Sequence, residues 1–260
     1  MTPGGPVSQG RHAQNGVLPA EVFIMNRRQC LASALGSAVA VFGCVVAGGS
    51  LPRRKQVRVA FLLGDSANVI DTAGPWEVFQ DTMLEGALMD SHPFEIYTVA
   101  TTTSVLRMTG GLQVVPHYDV TGAPEPNVIV VPAQKSSEAA LAWLKRASAG
   151  TDVTMSVCTG AFQLGRAGLL SGLKATTHHQ FWDKFQSEFP DVTLQRGLRF
   201  VDNGRIATAG GLTSGIDMAL HVVARYFGDE VAAATAGYME HTSDAWRTGV
   251  PTVARAATSG

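Results

Sequence analysis

The segment that most restricts the fold is Asn127-Val128-Ile129-Val130-Val131-Pro132. Apolar and mostly β-branched residues follow one another with no polar residue between them. A strand with one wet face alternates apolar with polar, so an unbroken run reads as a strand covered on both faces. That situation belongs to a parallel sheet enclosed between helices. The chain from Gln56 onward agrees. Val57 to Leu63, Pro93 to Val99 and Val153 to Val157 read as further strands. Gly74-Pro75-Trp76-Glu77-Val78-Phe79 opens a helix, with Pro near its first turn. Ser136 or Ser137 caps another that carries Leu141, Leu144 and Lys145. Helical patterns also cover Gly160 to Leu170 and Phe181 to Phe189. Thr213 to Phe227 aligns Ile216, Leu220, Val223 and Phe227 on one face. Asn203-Gly204 between apolar runs marks a hairpin. The expected class is α/β, a mostly parallel open sheet with helices on both faces, flavodoxin-like. Residues 242–260 lose periodicity and read as a flexible tail.

Composition is compatible with one large domain: of 260 residues, 45% are hydrophobic and 16% charged, enough apolar material for a sizeable core. Net charge is -1 and no long basic run occurs, so no nucleic-acid partner is indicated. Neither Gly-x-Gly-x-x-Gly nor a phosphate loop ending in Gly-Lys-Ser/Thr is present, and no cofactor is expected.

The N-terminal part has a different character. Residues 1–24 are polar and aperiodic and read as disordered, or as lying ahead of a true start at Met25. Arg27-Arg28 then precede an uncharged stretch, Leu31 to Ser50, rich in Ala, Val and Gly. A positive segment followed by a mildly apolar one is the pattern of an export signal, here of twin-arginine type over 25–50. A periplasmic location follows as an expectation. The alternative is a membrane anchor, which Gly36, Gly43, Gly48 and Gly49 weaken. Val41-Phe42-Gly43-Cys44 loosely resembles a lipoprotein box, although Phe42 is bulky for one. Contact with a membrane is expected only through such an anchor. Of the three cysteines, Cys30 and Cys44 fall in this region. Cys158 is then left without a partner in the folded domain, either as a small buried hydrophobe or as a reactive thiol.

Local sequence decides between the two. In Ser156-Val157-Cys158-Thr159-Gly160 a strand runs directly into a helix. So sharp a reversal needs small residues two before and two after its apex, and Ser156 and Gly160 supply them. This is the steric logic of a nucleophile elbow, with Cys at the apex. The thiol is expected at the C-terminal edge of the sheet, where open α/β sheets bind ligands. A helix N-terminus beside it is expected to lower its pKa.

Ser156 to Gly165, Ala167-Gly168-Leu169-Leu170-Ser171-Gly172, Ala175-Thr176-Thr177-His178, Thr208 to Asp217, and Ile70 to Phe79 together resemble the ThiJ/PfpI superfamily. The resemblance spans about 56–241 and is nearest to isocyanide hydratases and to the sensor half of AraC-type regulators. It implies a glutamine-amidotransferase-like fold, a small-molecule substrate or ligand, and a homodimer. It assigns to Asp71 the acid that hydrogen-bonds the nucleophilic thiol; capping of the helix near Gly74 is the other role open to Asp71. Thr159 stands where protease-like members carry His, which disfavours peptidase activity. It either positions water or an intermediate, or caps the helix. His178 matches a recurrent position, to orient substrate or to serve as a structural histidine. Ala133 and Gln134 replace a Pro-Gly-Gly segment whose backbone N–H helps form an oxyanion site. Either N–H is still able to donate, and the Gln134 amide offers a further donor. Gly74 is included with these oxyanion and substrate positions. Trp76 and Phe162 are wall or core. His178-His179 lack a third ligand of clear spacing, so no metal is expected. Three functions remain open: hydration of an isocyanide to an N-formamide, a non-catalytic binding or redox-sensing module, and glyoxalase or deglycase chemistry.

Overall fold

The computed structural model describes residues 49–84 and 92–250. The expected signal segment, with Cys30 and Cys44, lies outside the described residues, apart from Gly49 and Ser50.

In chain order the strands are β1 (Val57–Leu62), β2 (Phe94–Ala100), β3 (Leu106–Arg107), β4 (Gln113–Val114), β5 (Tyr118–Asp119), β6 (Val128–Val131), β7 (Val153–Ser156), β8 (Lys174–Ala175), β9 (Thr193–Leu194), β10 (Phe200–Asp202) and β11 (Ile206–Ala209). The helices are α1 (Val69–Gln80), α2 (Glu138–Ala147), α3 (Gly160–Arg166), α4 (Trp182–Glu188), α5 (Ser214–Phe227) and α6 (Asp229–Tyr238). Seven strands form one sheet in the order β10-β11-β7-β6-β1-β2-β5. Every pairing in it is parallel except the hairpin of β10 with β11. The remaining strands make two small ribbons, β3 with β4 and β8 with β9.

Strand alternation divides the core. On β1, Val57, Val59 and Phe61 face one layer, while Ala60 and Leu62 face the other. On β6, Val128 and Val130 oppose Ile129 and Val131 in the same way. The first layer includes Val78 and Phe79 of α1 and Met218, Val222 and Val223 of α5. The second includes Trp143 and Leu144 of α2, Leu164 of α3 and Phe185 of α4. The unbroken run at 128–131 is therefore a central strand with every residue buried, as a doubly covered parallel sheet requires.

Three elements depart from the sequence-based expectation. First, α1 begins at Val69, not near Gly74, so Pro75 lies inside it. The cap is Asn68, whose side chain accepts from the N–H groups of Ile70 and Asp71. Second, α6 follows α5 after Gly228, whose φ of 95° turns the chain between them; Ala-rich α6 has little amphipathic contrast to announce it. Third, the first part of the expected tail is packed. Ala245 and Trp246 are buried, and Gly249 O accepts from Arg199 N–H at 2.8 Å. A lone Trp among polar residues has no period, so only tertiary contact reveals its burial.

Candidate active site

The sheet changes winding direction between β1 and β6, the position where open α/β sheets form a crevice. Segments following β1, β6, β7 and β11 meet there, and these four strands are neighbours. They contribute Asp71, Ala133, Cys158 and Leu212.

Cys158 is the apex of the turn from β7 into α3. Its φ is 58°, in the left-handed region that costs a residue with a Cβ about 1 kcal/mol or more. Its N–H donates to Gly210 O at 2.7 Å, and Thr177 Oγ1 donates to its carbonyl at 2.8 Å. The turn is tight enough that a Cβ at Gly160 would lie 2.1 Å from Val131 O. The small residue two after the apex is thus demanded by the backbone of β6. Ser156, two before it, is fully buried.

Asp71, in the first turn of α1, is wholly buried beside the thiol. Its Oδ2 accepts from Ala133 N–H at 3.1 Å. The Leu212 N–H and the Cys158 thiol lie beside the carboxyl and favour its charged form, while its buried Oδ1 is left without a hydrogen-bond partner. Burial raises its pKa to about 6 against the pull of these donors. Since Asn68 caps α1, capping is not the role of Asp71. The thiol is 7% exposed. Burial first, and then the Asp71 charge, push its pKa up to about 11. The N–H groups of Thr159 and Leu212 and the Thr159 hydroxyl pull the other way without prevailing. The expected lowering by the helix N-terminus is thus overturned: α3 is only 7 residues long, and burial outweighs it. Between about pH 6 and 11 the resting pair is an Asp71 carboxylate beside a neutral Cys158 thiol.

Thr159 occupies the cap position of α3 but makes no side-chain capping bond; its hydroxyl is turned to the sulfur instead. Two of the other expected donors make bonds elsewhere. Ala133 N–H is held by Asp71. The Gln134 amide closes the end of β1, accepting from Gly64 N–H and donating to Leu62 O at 2.8 Å. One of its two amide N–H groups is thereby committed to the sheet end. Gly74 is a packing position: a Cβ there would lie 2.8 Å from Ile216 Cγ1, so it lets α1 approach α5. His178 stacks on His179 with ring centroids 4.4 Å apart and fills the space beside Gly211, where a Cβ would meet its Cδ2 at 2.2 Å. Burial and its neighbour His179 hold its pKa down, so it is neutral at pH 7. Trp76 lines an apolar hollow of about 300 Å³ between α1 and the β3–β4 ribbon, a hollow that includes neither Cys158 nor Asp71. Phe162 is core, packed on Phe185 at 5.1 Å. No group of metal-ligating residues occurs among the described residues.

Sequence reasoning missed Leu212. Its backbone N–H lies beside both members of the pair and favours the charged form of each, and its φ is 52°. The only available signal was the crowding of Gly210 and Gly211 after a strand.

A site assembled this way places the chain among α/β proteins organised round an elbow cysteine. It belongs to the DJ-1/PfpI family, which matches residues 57–225. An isonitrile hydratase from Pseudomonas putida is 29% identical over 182 residues, covering 68% of this chain and 75% of that protein. The HTH-type transcriptional regulator GbdR from Pseudomonas aeruginosa is 28% identical over 186 residues, covering 70% of this chain. The chain spans half the length of that regulator. Among solved structures, a ThiJ/PfpI family protein from Pseudomonas syringae superposes with a TM-score of 0.64 at 24% identity, covering 82% of this chain and 84% of that one.

Proposed function

We propose that the chain is an exported cysteine-dependent hydratase that converts a small isocyanide to an N-formamide. The observation that carries this reading is the buried Asp71 carboxyl beside Cys158, with a pKa of about 6 that suits proton exchange near neutrality. Asp71 takes the thiol proton as sulfur bonds to the terminal isocyanide carbon, and returns it to that carbon, leaving a thioimidate. Water adds to the thioimidate carbon. The C–S bond then breaks, its electron pair returns to sulfur with a proton, and the N-formamide leaves. Leu212 N–H and the Thr159 hydroxyl stabilise charge on sulfur during the first step. Similarity to the isonitrile hydratase supports the substrate class.

Similarity to GbdR at nearly the same identity supports a second reading, a ligand-binding module without turnover. A screen of alkyl and aryl isocyanides, with glyoxal and methylglyoxal alongside, separates the two. Formamide production that Cys158→Ala and Asp71→Asn both abolish is the expected result; no conversion of any compound by the parent protein defeats the enzymatic reading. Export through the Arg27-Arg28 segment and pairing of two copies belong to the same reading. Cell fractionation and equilibrium sedimentation test them.

A further inference from the structure

Arg199, at the approach to β10, touches neither Cys158 nor Asp71 through any hydrogen bond or ion pair, yet it grips both ends of the segment that serves them. Its carbonyl accepts from Gly210 N–H at 2.8 Å, and Gly210 O in turn holds the Cys158 N–H. Its guanidinium donates to Thr213 Oγ1 at 3.3 Å, immediately after Leu212. The same guanidinium pairs with the wholly buried Asp217 of α5, Nε donating to Oδ2 at 2.6 Å. Asp217 Oδ1 is held independently by His241 Nε2 at 2.9 Å. Arg199 N–H donates to Gly249 O, so the C-terminal segment fastens the residue from its other side.

Leu212 sits in the left-handed region, and both it and Thr213 are exposed. An exposed, strained residue that follows two glycines has little packing of its own to hold its N–H in place. We propose that Arg199 is a positioning residue, holding the Gly210–Thr213 segment so that Gly210 O stays on the Cys158 N–H and the Leu212 N–H stays beside the Cys158–Asp71 pair. Asp217 is the anchor that orients its guanidinium, and a planar fork is needed because the carboxylate and the hydroxyl are served from one group. The inference deepens the proposed function by naming what keeps that site's donor in register.

The test reads the sulfur directly and needs no substrate. The pH profile of Cys158 alkylation by iodoacetamide is followed by peptide mass in the parent, Thr213→Val, Arg199→Lys and the double variant. Thr213→Val removes only the accepting oxygen, and Arg199→Lys keeps the charge opposite Asp217 but loses the fork. A displaced Leu212 N–H withdraws one donor from the thiolate, so each single variant raises the alkylation midpoint by about half a unit to one unit. The double variant moves it no further than Arg199→Lys alone, because both break one link. Arg166→Met, which breaks the exposed pair with Glu188, leaves the midpoint unchanged. A midpoint that stays at the parent value or falls in both single variants, even with lower thermal stability, reduces Arg199 to a brace and overturns the proposal. A protein inert toward isocyanides still reports this result, so the two readings fail separately.

Discussion

Replacing Asp71 by Asn should make Cys158 more reactive toward an alkylating agent and lower the proposed turnover. The thiol pKa is raised from 9.0 to about 11, with burial as the larger cause and the Asp71 charge as the next. Two unit charges about 4 Å apart interact by roughly 4 kcal/mol at an effective dielectric constant of 20, which would alone exceed the whole elevation. The donors around the pair offset part of that, and burial is the larger contributor to what remains. The carboxylate is thus left with about one unit, near 1.4 kcal/mol. Asp71→Asn preserves shape and removes the charge, so the midpoint should fall to about 10. Below the midpoint, thiolate population then rises about tenfold, while intrinsic nucleophilicity falls with a Brønsted slope of about 0.4–0.5. The net expectation is alkylation about threefold faster at pH 8, read on the Cys158 peptide because Cys30 and Cys44 are also alkylated. The proposed isocyanide turnover should fall by about a hundredfold or more, since no group remains to carry the proton. Alkylation that slows, or a midpoint that rises, would mean that Asp71 promotes ionisation of the resting thiol. The charge assignment within the pair would then be wrong.

Other outcomes follow from the same geometry. Asp71 is protonated more readily folded (about 6) than free (3.8), so the folded state binds the extra proton. Its contribution to stability is full below pH 4 and is lost as pH rises through about 6, a penalty near 3 kcal/mol above that window; denaturant midpoints at pH 5 and pH 8 should differ less in Asp71→Asn than in the parent. Gly160→Ala drives a Cβ into Val131 O, a backbone atom of the central sheet that cannot move aside; a loss of about 3 kcal/mol or more, or insolubility, is expected in denaturation and expression trials. Trp246→Ala should cost about 3–5 kcal/mol by urea denaturation, where a flexible tail would cost nothing.

Most of the scaffold was legible because its signals are local. The Val/Ile run at 128–131 announces a doubly covered strand, Asn203-Gly204 announces a hairpin, and Ser156 and Gly160 flank the apex because sterics admit little else. The pairing of Asp71 with Cys158 followed from parallel strands ending on one edge together with a family resemblance. What stayed hidden depends on neighbours distant in sequence. Gln134 reads as a free amide until β1 is placed beside it. Ala133 has an N–H to offer only until Asp71 takes it. The sign of the thiol shift was misjudged because a helix N-terminus is visible in sequence while the depth of burial is not. Leu212 escaped notice because it acts through its backbone, which no side-chain pattern advertises.

The left-handed backbone at Cys158 sets chemistry against conformational preference at one position. Glycine would occupy that φ without penalty, relaxing roughly 1 kcal/mol that the sulfur-bearing residue keeps stored. A lineage released from any need for the thiol would therefore drift most readily to glycine there, gaining stability as it lost reactivity. Retention of cysteine across laboratory generations under selection for turnover, and its decay without it, would expose that tension as a heritable cost.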